Sequence, residues 1–265
     1  MNILIINLPS SVERLSFQKN QFDSLGLTFS TVKAVSVDDL TEETFDALST
    51  GWERPLRKSE VACFLSHKKA WETALESGQA TLILEDDALL SKKTKEILDE
   101  VVSLRECDLM TLEVRSRKKI ISKQPYYSSA NFNVFNLYQD RTGAAAYILW
   151  PSGAEKLLNR AKSTPVGLAD AFISSGYELA AFQVEPAPIM QLDQTELYKV
   201  ETAAKTSSTI SAEKRPTLKG TNQKSNFGFK FRRIYSQLRM AFRQISTLHK
   251  SQKRYVSVNP QDFSD

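Results

Sequence analysis

The chain has 265 residues, 41% of them apolar and 25% charged, with a formal net charge of +4. That is enough apolar material for one large α/β domain or two small ones, and it excludes a disordered chain and a disulfide-stapled mini-fold. The net figure hides an asymmetry: Lys214 to Arg254 holds 12 Lys and Arg, with no acid between Glu213 and Asp262, so an acidic body ends in a strongly basic tail.

The opening MNILIINLPSSVER lacks a basic leader, and its apolar run stops at Pro9, too short for a signal peptide. Asn2 to Leu8 reads as a strand buried on both faces of a parallel sheet. Ser10 and Glu13 have capping-box spacing for a helix that turns Val12, Leu15, Phe22 and Leu25 inward and stops at Gly26. Leu27 to Val37 reads as a second strand with Phe29 and Val32 inward, giving a β-loop-α-β unit and an α/β sheet.

After a polar, helix-like stretch at 38–50, Ser59 is the expected N-cap of a helix to about Glu76 with Val61, Phe64, Leu65, Trp71 and Leu75 as its buried stripe. Gly78 ends it and the strand Thr81 to Leu84 follows. Further on, the pattern predicts a helix over 92–104, a strand over 108–114, loops and short hairpins over 115–139, and a strand over 143–150. Pro151 opens a helix to Ala161; a short helix over 168–175 and a last strand over 177–184 complete the body. The expected domains are 1–197 as catalytic body, 198–226 as a Thr/Ser/Lys-rich linker, and 227–265 as a basic helical tail.

The chemistry concentrates in TLILEDDALL, where an apolar strand runs into Glu85, Asp86 and Asp87. Ligands of open α/β sheets sit at carboxyl ends of strands, and a hard cation takes one or two carboxylates together with phosphate oxygens. The triplet therefore reads either as a site for Mg²⁺ or Mn²⁺ with a nucleotide diphosphate, or as a solvated acidic turn. Alternation along a strand places Glu85 and Asp87 on one side and Asp86 on the other.

EVACFLSHKKAWE places Ser66, His67 and Lys68 on the preceding helix. By themselves they read as ordinary helix residues: Ser66 bonding back to its own helix, His67 at the core edge, Trp71 as core or pocket wall. In combination, INLPSSVER (Ile6 to Arg14), ACFLSHKKAW (Ala62 to Trp71) and LEDD (Leu84 to Asp87) resemble glycosyltransferase family 25, the lipopolysaccharide and lipooligosaccharide biosynthesis transferases of Gram-negative bacteria. GAAAYILWPSGAEKLL (Gly143 to Leu158) resembles the family's second block and PVGLADAF (Pro165 to Phe172), loosely, its later acidic segment. Ala62 stands where the family usually has Gly.

The resemblance implies a GT-A-like α/β fold with a single nucleotide-sugar-binding domain and a mixed, mostly parallel central sheet, plus the C-terminal basic amphipathic helix. It implies transfer of a hexose, galactose or glucose, from a UDP-sugar with inversion onto a lipid-linked oligosaccharide acceptor. Glu85 and Asp87 are the implied ligands of a divalent metal, Mn²⁺ or Mg²⁺. Asn7, Leu8, Arg14, Ser66, His67 and Lys68 join Glu85, Asp86 and Asp87 around the UDP. The carboxylate base that inversion requires is Asp170 first and Asp140 second.

In the tail, Phe227, Phe231, Ile234, Leu238, Phe242, Ile245 and Leu248 recur every three or four residues, with Lys230, Arg232, Arg233, Arg239, Arg243 and Lys250 between them. Such a helix suits an anionic membrane surface with its basic face among the headgroups; the other reading is a helix docked on the body with a solvated basic side. No apolar stretch approaches the roughly 20 residues that span a bilayer, and Cys63 and Cys107 form neither a metal-type spacing nor a disulfide framework. The expected location is cytoplasmic, peripheral on the inner face of the inner membrane. Two rival readings are a sugar nucleotidyltransferase, which would need a glycine-rich loop that INLPSSVER lacks, and a protein that binds nucleic acid through its tail; with bases confined to one end of an acidic body, no nucleic-acid partner is expected.

Overall fold

The computed structural model describes residues 1–141, 143–202 and 223–263. Its first unit is β1 (Asn2–Asn7), α1 (Val12–Leu25) and β2 (Ser30–Lys33), followed by α2 (Glu42–Ser49), α3 (Lys58–Ser77) and β3 (Thr81–Glu85). β1 pairs in parallel with both β2 and β3, so their carboxyl ends share one edge. Every second residue of these strands serves a different core. Leu4, Ile6 and Ile83 pack on one face with Val61, Phe64 and Trp71 of α3, whereas Ile5, Leu82 and Leu84 pack on the other with Phe22 of α1. A continuous apolar run is what burial on both faces demands.

The chain continues through β4 (Ala88–Leu90), α4 (Thr94–Val101), β5 (Leu109–Thr111), β6 (Glu113–Val114), β7 (Lys119–Ser122), β8 (Tyr127–Ser128), β9 (Asn133–Gln139) and β10 (Ala146–Leu149). α5 (Pro151–Ser163), α6 (Ala169–Ser174), β11 (Ala181–Glu185), β12 (Ile189–Gln191), α7 (Gln223–Thr247) and β13 (Ser251–Arg254) complete it. The large sheet has the order β13-β7-β9-β11-β5-β10-β3-β1-β2, with β8 beside β9. α/β and mixed are as expected, but mostly parallel is not. Only β1 with β2, β1 with β3, and β5 with β11 run parallel among the described strands of this sheet; the other pairings are antiparallel. β7, β8 and β9 follow one another through short links, which antiparallel pairing permits, and β10 enters between β3 and β5 in the opposite direction to both.

Several local expectations also shift. α1 begins after Ser11, with no side-chain cap, so the Ser10/Glu13 box does not form, and Val12 is 64% exposed. α3 begins at Lys58 instead of after Ser59, because the Glu60 carboxylate accepts from the Arg57 N–H (2.9 Å) while Arg54 grips both its oxygens at 2.7 and 2.8 Å. Leu75 stands 38% exposed. The predicted strand over 108–114 breaks into β5 and β6, the second joining a small sheet of order β4-β12-β6.

The C-terminal boundaries differ most. Of the expected linker, 203–222 lies outside the described residues, and its start is packed: buried Val200 and half-buried Tyr198 join Leu89, Met190 and Phe263. The tail is not helix throughout, since β13 pairs antiparallel with β7, Ala187 donates to the Ser257 carbonyl (2.9 Å) and Lys92 to that of Asp262 (2.8 Å). The tail is therefore not a separable appendage. Among the described residues no helix is long and apolar enough to cross a membrane.

Candidate active site

The acidic turn is built by its neighbours. After β3 the backbone leaves the ladder, and buried polar groups require other partners. α1 supplies them from glutamines: Gln18 donates to the Asp86 and Ala88 carbonyls (3.1 and 2.7 Å), and Gln21 accepts from the Leu90 N–H (2.8 Å). A stripe sought only in apolar residues misses Gln18, which is completely buried.

The three carboxylates are treated differently. Asp86 turns toward β1 and α1, where Asn7 Nδ2 and Arg14 Nη1 each donate at 2.8 Å. Its charge is matched within the protein. Glu85 and Asp87 face the other way and share one amide, Gln191 Nε2, at 3.0 and 3.3 Å. Pairing of β12 with β4 sets Gln191 opposite Ala88, which is how a residue far along the chain reaches the turn. Burial, then the Glu85 charge, push the Asp87 carboxyl up to about 7.

Behind Glu85 runs a buried polar relay. Trp71 Nε1 donates to the Tyr147 hydroxyl (2.8 Å), which lies 3.0 Å from His67 Nδ1, and His67 Nε2 lies 3.1 Å from Glu85 Oε1. Indole can only donate, so Tyr147 directs its single proton to Nδ1, and Nε2 carries the imidazole proton toward the carboxylate. This assigns the tautomer of His67, 1% exposed, and makes it an orienter of Glu85. Burial, above all, holds the Tyr147 phenol well above its usual range, so it stays protonated.

These groups open into a cavity of about 820 Å³ at the carboxyl ends of β1 and β3. Leu8, Arg14, Ser66, His67, Glu85, Asp86, Asp87 and Asp170 all line it. Ser66 bonds back to the Ala62 carbonyl and accepts from the Val35 N–H, both at 2.8 Å, so it joins α3 to the chain after β2. Asn7 acts through Asp86. Burial raises the Asp170 carboxyl, the Glu85 charge adding to it, although the Ala171 N–H bonds it at 2.7 Å.

Two predicted residues fall elsewhere. Lys68 pairs with Glu72 along the helix surface at 2.5 Å, and Asp140 is held by the buried Lys119 ammonium at 2.7 Å beside a separate small cleft. Conversely, Arg57, Arg115, Gln191 and Asp193 line the cavity without having been singled out. Arg115 and Asp193 pair at 2.5 Å although 78 residues apart, and no local pattern announces such a pair.

Two ligand sets are possible for a cation. A Cys63 sulfur, a His67 nitrogen and a Glu85 oxygen lie within 4.8 Å of one another. Burial and then the Glu85 charge keep the Cys63 thiol well above its usual range, and His67 Nε2 is bonded to Glu85, so this trio would have to release protons and give up that bond to take a metal. Glu85 with Asp87 fits better: two oxygen donors on one side of a turn that share the neutral Gln191 amide, with the Arg14 charge acting on Asp87 from nearby.

The α/β sheet thus carries a roomy cavity at the ends of adjacent parallel strands, lined by acids and arginines, the place where open sheets of this kind hold ligands. The chain belongs to glycosyltransferase family 25 (LPS biosynthesis protein), whose model matches residues 1–173. A relative from Haemophilus influenzae is 28% identical over 170 residues, covering 62% of this chain and 59% of that protein. The lacto-N-neotetraose biosynthesis glycosyltransferase LgtE of Neisseria gonorrhoeae is 28% identical over 165 residues, 59% of each chain. LgtB of Neisseria meningitidis serogroup B, named for the same biosynthesis, is 26% identical over 201 residues, covering 71% of this chain and 72% of that one. The match thus spans about three fifths of the length of the first two relatives.

Proposed function

We propose that the protein is an inverting hexosyltransferase of GT-A type that moves galactose or glucose from a UDP-sugar to a lipid-linked lipooligosaccharide or lipopolysaccharide acceptor at the inner face of the inner membrane. The observation that carries the reading is the pairing of Glu85 and Asp87 under one amide at the rim of the large cavity, while Asp86 is matched by Asn7 and Arg14. Family membership supports the same reading.

Glu85 and Asp87 would hold a divalent cation, Mn²⁺ or Mg²⁺. Such a cation, when bound, offsets the charge that grows on the departing diphosphate. Gln191 and His67 keep the two carboxylates oriented, and Arg14 stands at the start of α1 where a phosphate is favoured. The acceptor hydroxyl attacks the anomeric carbon as its bond to UDP breaks, and the hydroxyl proton passes to Asp170. A carboxylate whose proton affinity is raised by burial is suited to that task.

The test is calorimetric titration of UDP, UDP-galactose and UDP-glucose with and without Mn²⁺, for the wild type and Asp87→Ala. Metal-dependent binding that disappears in the variant is the expected result. Binding indifferent to both metal and substitution would remove the acidic turn from the site.

A further inference from the structure

α7 meets the body with cations turned inward. Arg232 donates to the Thr50 and Trp52 carbonyls at 2.7 and 2.8 Å, Arg239 to that of Ser175 at 3.2 Å and Arg243 to that of Tyr138 at 3.1 Å. Arg239 and Arg243 also stand over the Tyr177 ring, 5.0 and 5.4 Å from its centre. With buried Phe229 and Thr247 these residues fix the rotation of the helix. The opposite face carries Phe227, Phe231, Ile234, Leu238, Phe242 and Ile245, each between 55% and 75% exposed. A helix on a globular protein ordinarily turns such a stripe inward, and a contiguous exposed apolar patch marks an interaction surface.

We infer that this outward face is the docking surface for an anionic lipid bilayer, entered by the apolar side chains while the arginines rivet the helix to the body. Charge selects the occupant. Exposed Lys230 and Arg233 adjoin the stripe, and no acid occurs between Glu213 and Asp262, so an anionic surface is complementary along the whole length of about 37 Å. A second copy of the helix would set these like charges together with no carboxylate of its own to pair them. The helix does not span the membrane; it lies in the interface plane. The expectation from sequence had the basic face among the headgroups. The structure reverses this, since three of those arginines are occupied by carbonyls and rings of the body, and lipid contact falls to the apolar stripe.

The experiment is flotation of the full chain with phosphatidylethanolamine/phosphatidylglycerol vesicles and with phosphatidylcholine vesicles, at low salt and at about 0.5 M salt, where charge attraction is screened within a few ångströms. Binding to the anionic vesicles that partly survives high salt is expected. Joint substitution Phe231→Glu, Leu238→Glu and Phe242→Glu lowers partitioning at least tenfold, with the unfolding midpoint checked in parallel. A separate Phe242→Trp variant, which leaves the stripe apolar, gains a blue-shifted indole emission on the same vesicles. Undiminished flotation of the triple variant, no flotation of the wild type, an unshifted emission spectrum for Phe242→Trp, or a stable dimer dissolved by the triple substitution would each overturn the inference. None of these readouts depends on sugar transfer, so they stand or fall apart from the chemistry in the cavity.

Discussion

The turn after β3 and the helix α7 both direct charged groups toward the body. They leave opposite surpluses. At the turn, Arg14 and Asn7 donate to Asp86 while Glu85 and Asp87 share the Gln191 amide and Glu85 also meets His67, so the turn concentrates negative charge at the cavity. At α7, arginines meet carbonyls and aromatic rings, and apolar surface is left over. What remains after folding is acidic surface in one region and apolar surface in the other, and the readings proposed for them are correspondingly a cation with a phosphate and a lipid surface.

The comparison breaks most sharply at the cavity wall. Asp170→Asn should lower turnover by roughly 10²- to 10⁴-fold with little change in UDP affinity, the signature of a lost proton acceptor. Asp140→Asn should leave turnover within about tenfold and instead loosen the fold, because the buried Lys119 ammonium loses this carboxylate and keeps the neutral Glu113 carbonyl and Gln183 Oε1 as acceptors. Steady-state kinetics beside calorimetry decides; equal losses in both variants would take the base assignment away from Asp170.

A second carboxylate sharpens the notion of surplus charge. Glu113 is buried, one oxygen accepting the Ala145 and Ala146 N–H groups (2.6 and 3.3 Å) and the other without a hydrogen-bond partner. Burial pushes it up to about 8 from an ordinary 4.5. The folded state thus holds this proton more tightly than the unfolded chain, so the stabilisation is complete below pH ~4.5 and is lost as pH rises through ~8, on the order of 5 kcal/mol as an upper bound. Glu113→Gln should flatten the fall of the unfolding midpoint between those values. An unchanged profile would mean that another group controls it.

Smaller effects probe the orienting partners. Tyr147→Phe leaves the Trp71 N–H and His67 Nδ1 unpartnered in the core and should cost about 1–3 kcal/mol in denaturant unfolding. The nitrogen chemical shift of His67 Nδ1 should then move while Nε2, still facing Glu85, keeps its proton; an Nδ1 shift identical to that of the wild type would rule out the relay. Arg243→Ala, at about 1 kcal/mol or less, should speed amide exchange in α7 and leave β3 protected. Uniform loss of protection would show that the helix and the sheet unfold as one unit.

The sequence makes the body legible where periodicity is strong. The strands β1, β3 and β10 and the helices α1, α3 and α5 stand close to their expected places because apolar alternation and helical spacing reflect burial directly. The direction of pairing is not written that way: β10 between β3 and β5 reads as any buried strand, and only the path of its connections makes it antiparallel. At the site, the acidic turn and its preceding helix are readable from residue type and spacing. Gln18, Gln191 and Tyr147 are not, since each acts by completing the hydrogen bonds of a group distant in sequence. Amphipathicity of α7 is plain in the sequence, whereas which face meets the body depends on carbonyls and tyrosines contributed by the loop at 50–52, β9 and the end of α6.

β13 has a further consequence for the timing of folding. Its partner β7 is synthesised some 130 residues earlier, so that edge of the sheet stays open until residues 251–254 have emerged. α7 is tied to the body on its C-terminal side by this strand, in addition to the arginine contacts that set its rotation. A chain still lacking residues 251–254 therefore presents β7 as an unpaired edge strand, open to pairing with another chain.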